Sequence, residues 1–138
     1  ELLDVVDCDA RYAAAGVELC ETVLGQFTAE GDYFTLSYRG QLGVFHFLAG
    51  QSDDGDRVLT ELIRDHPDHA GGYAYLSDML GIPRGGEFGS EPIDLPRAIG
   101  LLEAALARPV KDAADFELEV RLEDLRADRN GVTDDTPR

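Results

Sequence analysis

The stretch LSYRGQLGVFHFLAGQSDDGDRVLTELIRDHPDH, Leu36 to His69, decides how the rest of the chain is read. In its first half Leu42, Phe45 and Leu48 or Ala49 fall at helical spacing, and in its second half Val58, Leu59, Leu62 and Ile63 do the same. Gly50 reads as the C-terminal cap of the first helix and Ser52 or Asp53 as the N-cap of the second. Pro67 marks the stop, because the residue before a proline avoids the α region. Arg64 and His66 stand at the negative end of that second helix, where cations are favoured. Two helices back to back thus occupy roughly 34 residues, and an imperfect second copy starts at Ala70. Units of this kind carry one apolar stripe per helix, cannot bury it alone, and must stack on neighbours.

On the N-terminal side, Tyr12, Ala13, Gly16, Val17, Cys20, Val23, Leu24 and Phe27 follow a three-and-four spacing, which predicts a helix over about 9–26 with Asp9 as N-cap. Gly31 and Asp32 break the chain before the next helix, expected over about 33–49. On the C-terminal side a fourth helix is expected from His69 to Leu80, carrying Tyr73, Leu76 and Leu80, with Gly81 as terminator. Residues 81–93, GIPRGGEFGSEPI, form a glycine- and proline-rich insertion that cannot continue a helix. A fifth helix begins near Asp94, with Pro96 in its first turn and Ala98, Ile99, Leu102, Ala105 and Leu106 as its stripe, and Pro109 ends it. A sixth is expected over about 112–128, with Phe116, Val120 or Leu118, Leu122 and Leu125 inward. Residues 131–138 read as a polar, frayed tail.

The Leu36–His69 unit resembles a tetratricopeptide repeat. It has the leucine-glycine pair of that family's first helix in Leu42 and Gly43, the small residue at the helix crossing in Gly55, and the later Leu59, Leu62 and Pro67. It departs from the family where Arg39 and His46 replace aromatic residues. The copy from Ala70 matches at Tyr73, Leu76 and Leu80, has Ser77 in place of the glycine, and resumes at Ala98, Leu102 and Ala105 after the insertion. The resemblance implies an all-α fold of antiparallel helix pairs stacked as a short right-handed superhelix of about six helices. Its organisation would be one domain over 1–130: an N-terminal helix in 1–32, repeat one in 33–69, repeat two in 70–110 and a capping helix in 111–130. It also implies a concave face lined by the first helix of each pair, here Gly40, Gln41, Val44, Phe47 and Leu48, then Ala74, Tyr75 and Asp78. The plainer reading is that Val44, Phe47 and Leu48 pack against the N-terminal helix. The family's carboxylate clamp, which grips acidic C-termini with cationic side chains, has no cation at Gly40, Gln41, Ala74, Tyr75 or Asp78.

Charge narrows the partner further. In 138 residues, 28 acidic side chains stand against 12 basic ones, for a net charge of -16, and Lys111 is the only lysine. Binding to nucleic-acid phosphates or to an anionic membrane surface is opposed by that balance, so no nucleic acid and no membrane is expected. Such acidity fits a protein of a salt-loving organism, a basic partner steered onto an acidic face, or a genome that favours Arg over Lys. No run approaches the roughly 20 apolar residues of a membrane span, and no signal peptide is visible. The two cysteines, Cys8 and Cys20, would stand about 18 Å apart on one helix, too far for a disulfide, which points to reduced core residues and a cytoplasmic setting.

Groups that could carry chemistry are thin. Asp65, His66, Asp68 and His69 bracket Pro67 and include metal-ligand types, yet each is also ordinary at a helix end. The glycine-rich insertion follows a helix, not a strand, and lacks the lysine of a nucleotide loop, so it reads as a flexible insertion, with Phe88 as a partner anchor or tucked back onto the domain. No serine or cysteine has the setting of an activated nucleophile. No catalytic residue, cofactor or metal is therefore expected. The leading expectation is a scaffold or adaptor domain, not an enzyme, binding a neutral or basic protein segment through Gln41, Val44, Phe47, Leu48, Ala74, Tyr75 and Asp78. The alternatives are a self-associating structural module, or a small metal protein or enzyme using the His66–His69 region.

Overall fold

A computed structural model describes residues 2–26, 33–82, 92–108, 110, 112–114 and 116–129, with side chains described from Arg11 to Ala127. The expected break at Gly31 and Asp32, Phe27, the side chain of Cys8, residues 83–91 with Phe88, and the 131–138 tail lie outside the described residues. Among the described residues the chain is all-α, with six helices: α1 Leu2–Gln26, α2 Tyr33–Leu48, α3 Ser52–Asp65, α4 Ala70–Gly81, α5 Leu95–Leu106 and α6 Leu118–Arg129. They fall into two compact units, Glu1–Pro67 and Asp68–Arg138.

In the first unit α2 is the middle helix, with α1 on one side and α3 on another. The α2–α3 crossing is built on absent side chains. A Cβ on Gly43 would lie 2.3 Å from Leu59 Cγ, and one on Gly55 would lie 2.5 Å from the Phe47 ring and 2.8 Å from the Gly43 carbonyl oxygen. The two backbones therefore touch where Leu59 and Leu62, both fully buried, fill the seam. Burial of each such leucine contributes about 2 kcal/mol.

The turn between α2 and α3 explains how a short connection reverses the chain. Gly50 adopts a left-handed φ of 85°. Its N–H donates to Phe47 O at 3.1 Å and the Gln51 N–H donates to His46 O at 2.8 Å, the paired bonds of a Schellman cap. His46 and Arg39, where the chain departs from the repeat signature, both act as polar ties of this pair. The buried His46 donates from Nδ1 to Gln51 Oε1 at 2.7 Å, and Arg39 Nη2 bridges to Asp65 Oδ2 at 3.2 Å.

Helix α1 buries Ala13, Gly16 and Cys20, with Phe45 of α2 lying over Gly16. It differs from expectation in two ways. The helix begins at Leu2, so Asp9 is interior to it and not its N-cap: residues 2–8 contain neither glycine nor proline to stop it. Tyr12 faces water, 71% exposed, because the inward stripe follows Ala13, Gly16 and Cys20 and leaves Tyr12 off its edge.

In the second unit α4 packs on α5 and on α6, and α5 on α6. Asp94 caps α5 through its carboxylate, which accepts from the Arg97 N–H at 3.2 Å. Helix α6 starts at Leu118, later than the expected residue 112, because the chain turns first. The Leu118 N–H donates to Ala113 O and the Glu117 N–H to Ala114 O, a second Schellman turn, with Glu117 in the left-handed region at φ 53°. Leu118, Leu122 and Leu125 are buried and Val120 is exposed, which settles the choice between Leu118 and Val120.

Alanine scanning of two glycines should separate packing from propensity. Gly55→Ala loses about 1–3 kcal/mol, since the added methyl meets backbone that cannot move aside. Gly100→Ala on α5, where a Cβ meets nothing within 4 Å, gains about 0.8 kcal/mol. Urea denaturation followed by circular dichroism measures both, and a neutral Gly55→Ala contradicts the crossing described.

Candidate functional site

The seven residues expected to form one partner face divide between the two units, and each unit treats its share differently. On α2, successive residues advance about 100° around the axis, which gives the helix three faces. Leu36, Gly40, Gly43 and Phe47 share the face that meets α3, and all four are buried. Phe45 marks the face toward α1, along which Tyr38, Leu42 and Ala49 fall in register. The third face carries Phe34, Ser37, Gln41, Val44 and Leu48. Phe34 and Leu48 are each 46% exposed, Gln41 is exposed, and Ser37 and Val44 are half-buried. Of the expected residues on this helix, Gln41, Val44 and Leu48 reach solvent. Phe47 does not: it is a core residue on Gly55 and leaves the candidate face.

On α4 the corresponding residues are occupied by their own unit. Ala74 is fully buried and leaves the candidate face as well. The Tyr75 ring meets Phe116 edge-on at 5.8 Å. The Asp78 carboxylate is held by both ends of the Arg121 guanidinium, at 3.1 and 3.2 Å, and Arg121 also donates to the Phe116 carbonyl. A bidentate, partly buried pair of this kind is geometrically specific, unlike a loose surface contact. The chain's own 116–121 segment therefore fills the side of α4 on which Tyr75 and Asp78 lie.

A second polar clamp lies at the start of α4. His69 occupies the N-cap position yet makes no side-chain cap bond. Asp112 supplies the cap from 42 residues away: Oδ1 accepts from the Ala70 N–H at 2.7 Å and Oδ2 accepts from His69 Nδ1 at 3.0 Å. Phe116 then packs edge-on against the His69 ring at 5.7 Å. Sequence spacing assigned Asp112 to the start of the sixth helix. The one signal pointing elsewhere was the lack of Ser, Thr, Asn or Asp at the α4 N-cap.

The remaining candidates for chemistry are placed as follows. His66 Nε2 is buried with no hydrogen-bond partner among the described residues, and His69 uses Nδ1 on Asp112. Among the described residues no three His, Cys, Asp or Glu side chains gather closely enough to hold a metal ion. Cys20 is a buried free thiol whose pKa is raised, first by burial and then by nearby Glu21, which keeps it protonated and a poor nucleophile. Asp65 is held below the ordinary carboxylate range by hydrogen bonds from Arg64 and then Arg39. The stability this pairing supplies is present above the ordinary carboxylate pKa and is lost as pH falls through the lowered value. Among the described residues no helix is long and apolar enough to cross a membrane.

In comparisons with protein-family models, curated proteins and solved structures, nothing matches this chain.

Two substitutions test the second unit. Asp112→Ala removes the distant cap and the His69 partner together and should cost about 1–3 kcal/mol. Glu117→Gly relieves a left-handed, non-glycine residue and should add about 0.5–1 kcal/mol. Thermal melts of both variants, compared with the parent chain, check the two signs.

Proposed function

We propose that the chain is a non-enzymatic protein–protein interaction module, built from tetratricopeptide-like helix pairs, that holds a neutral or basic protein segment on the open face of α2. The carrying observation is the contrast among the three faces of that helix. Two are filled by α1 and α3, while the third leaves Phe34, Val44 and Leu48 at or near water around the polar Gln41. Apolar side chains on one stripe of a helix flanked by two others form a shallow track suited to an amphipathic helix or an extended segment. The two large exposed side chains stand at its ends, and Gln41 between them offers an amide that can set register.

Electrostatics selects the sign of the ligand. A domain of net charge -16 attracts basic segments and repels acidic ones, with an effect that fades as salt shortens the screening length to about 8 Å at physiological strength. The corresponding residues of α4 have no equivalent role in this reading, since Asp78 and Tyr75 are held by Arg121 and Phe116. The ligand surface is accordingly small, and its affinity rests on a few apolar contacts.

Titration with basic and acidic amphipathic peptides at two salt concentrations, read by fluorescence anisotropy, tests this reading. Basic peptides should bind more tightly at low salt, and Leu48→Ser should weaken them roughly tenfold. Equal or tighter binding of acidic peptides, or no effect of Leu48→Ser, overturns it.

A further inference from the structure

Among the described residues the first unit exposes five large apolar side chains, and four of them fall on one side of the α1–α2 pair: Tyr12 and Leu19 on α1, Phe34 and Leu48 on α2. One contact fixes this geometry. Phe45 of α2 lies over Gly16, ten residues before the end of α1 and twelve after the start of α2. A parallel pairing would separate Gln26 from Tyr33 by roughly 33 Å along the axes, more than the roughly 25 Å that the chain between them can span, so the helices run antiparallel. With Gly16 level with Phe45, Leu19 stands level with Leu42 and Tyr12 with Ala49. On α1 the exposed Tyr12, Ala15 and Leu19 each directly precede a buried residue, Ala13, Gly16 and Cys20. On α2 Gln41, Val44 and Leu48 each directly precede a residue of the face toward α1, namely Leu42, Phe45 and Ala49. One residue back is a turn of about 100° in the same rotational sense on both helices, and in antiparallel neighbours equal senses point to the same side. Across the seam Tyr12 is thus level with Leu48, Ala15 with Val44 and Leu19 with Gln41, over a floor of half-buried Phe45 on Gly16.

We propose that the ligand seats in this two-helix groove and is a basic amphipathic helix of about four turns, lying along the seam as a third helix. The inference rests on the α2 face being the ligand surface, and it adds α1 as the second wall. Leu48 and Phe34 set the length, since they are fourteen residues apart, about 21 Å along the axis. Hydrogen bonding selects a helix over an extended segment. An extended backbone would bring its N–H and C=O groups against Tyr12, Leu19 and Leu48, where Gln41 is the main polar partner on offer. A helix satisfies its own backbone and presents side chains alone, with apolar anchors at three- and four-residue steps. Charge selects the sign. Residues 1–67 carry 13 acidic and 4 basic side chains. Three of the four arginines are held by carboxylates of the same unit, Arg39 and Arg64 by Asp65 and Arg57 by Asp54. The remaining excess of carboxylates is left for a cationic ligand to offset.

The probe is a fluorescein-labelled leucine–lysine peptide of about 16 residues with leucine at helical spacing. It is used in a side-chain-stapled helical form and in a form with two central prolines, and binding to the full chain is read by anisotropy. The stapled form should bind about tenfold more tightly than the proline form. Tyr12→Ser and Leu19→Ser should each raise its Kd roughly five- to tenfold, in line with Leu48→Ser. Val120→Ser, which alters an exposed apolar residue of the second unit, should change nothing. If Leu48→Ser weakens binding while Tyr12→Ser and Leu19→Ser do not, the groove is overturned and the α2 face stands; if none of the three has an effect, both fall. A proline form that binds as tightly as the stapled one overturns the helical ligand. Equal weakening by Val120→Ser shows nonspecific adhesion and overturns the groove. A free chain that sediments as a dimer, lost on Leu19→Ser, assigns the groove to a second copy and overturns the proposal too. Circular dichroism checks that each variant folds, and should one unfold, the two peptide forms on the parent chain still decide.

Discussion

The contact between the backbones of α2 and α3 at Gly43 and Gly55 is the constraint on which the first unit depends. Glycine at both places lets the helices approach until Leu59 and Phe47 lie directly on the opposing main chain. Helix α2 is drawn closely onto α3 along one face and holds α1 through Phe45 and Gly16 on another, and among the described helices of the first unit no other packs on it. The exposed Phe34 and Leu48 and the half-buried Val44 stand on the remaining face. Close packing and an open apolar stripe belong to one arrangement.

The second unit is organised by polar clamps more than by close backbone approach. Asp112 caps a helix whose own N-cap residue offers no cap, and Arg121 grips Asp78 one turn beyond Tyr75. Each clamp joins residues more than 40 positions apart, and Phe116 lies between them with its ring against His69 and Tyr75. Buried polar groups impose geometry, because a donor or acceptor left unpaired costs its full desolvation. Asp112 and Phe116 are consequently held against α4, and the left-handed backbone at Glu117 turns the chain into α6.

Much of this architecture was legible from local patterns. The helix pair, the glycine cap at residue 50 and the start of the fifth helix near Asp94 with Pro96 in its first turn follow from short-range chemistry and appear as read, while the small residue at the crossing, Gly55, came from the resemblance. Periodicity allowed Tyr12 inward on α1, because a stripe read at three-and-four spacing has edges that shift by one residue, and the resemblance placed Phe47 on an open face of α2 where the structure buries it. Which edge is buried depends on the neighbour's position. The start of the sixth helix was set at Asp112 for a different reason: nothing in the neighbouring residues reveals that Asp112 caps a helix 42 residues away.

The sequence by itself determined the helices, their order, the pairing of α2 with α3 and the acidic character that any partner must meet, because propensity, capping and charge are properties of neighbouring residues. Only the tertiary structure decided which apolar side chains stay in water. Whether Leu48 or Phe47, Tyr12 or Ala13, Val120 or Leu118 is covered depends on the rotation of each helix against its neighbours, and that angle is set by contacts between residues far apart in the chain. The candidate surface on α2 and the occupied side of α4 differ for that reason, although the resemblance to repeated helix pairs treats the two as equivalent.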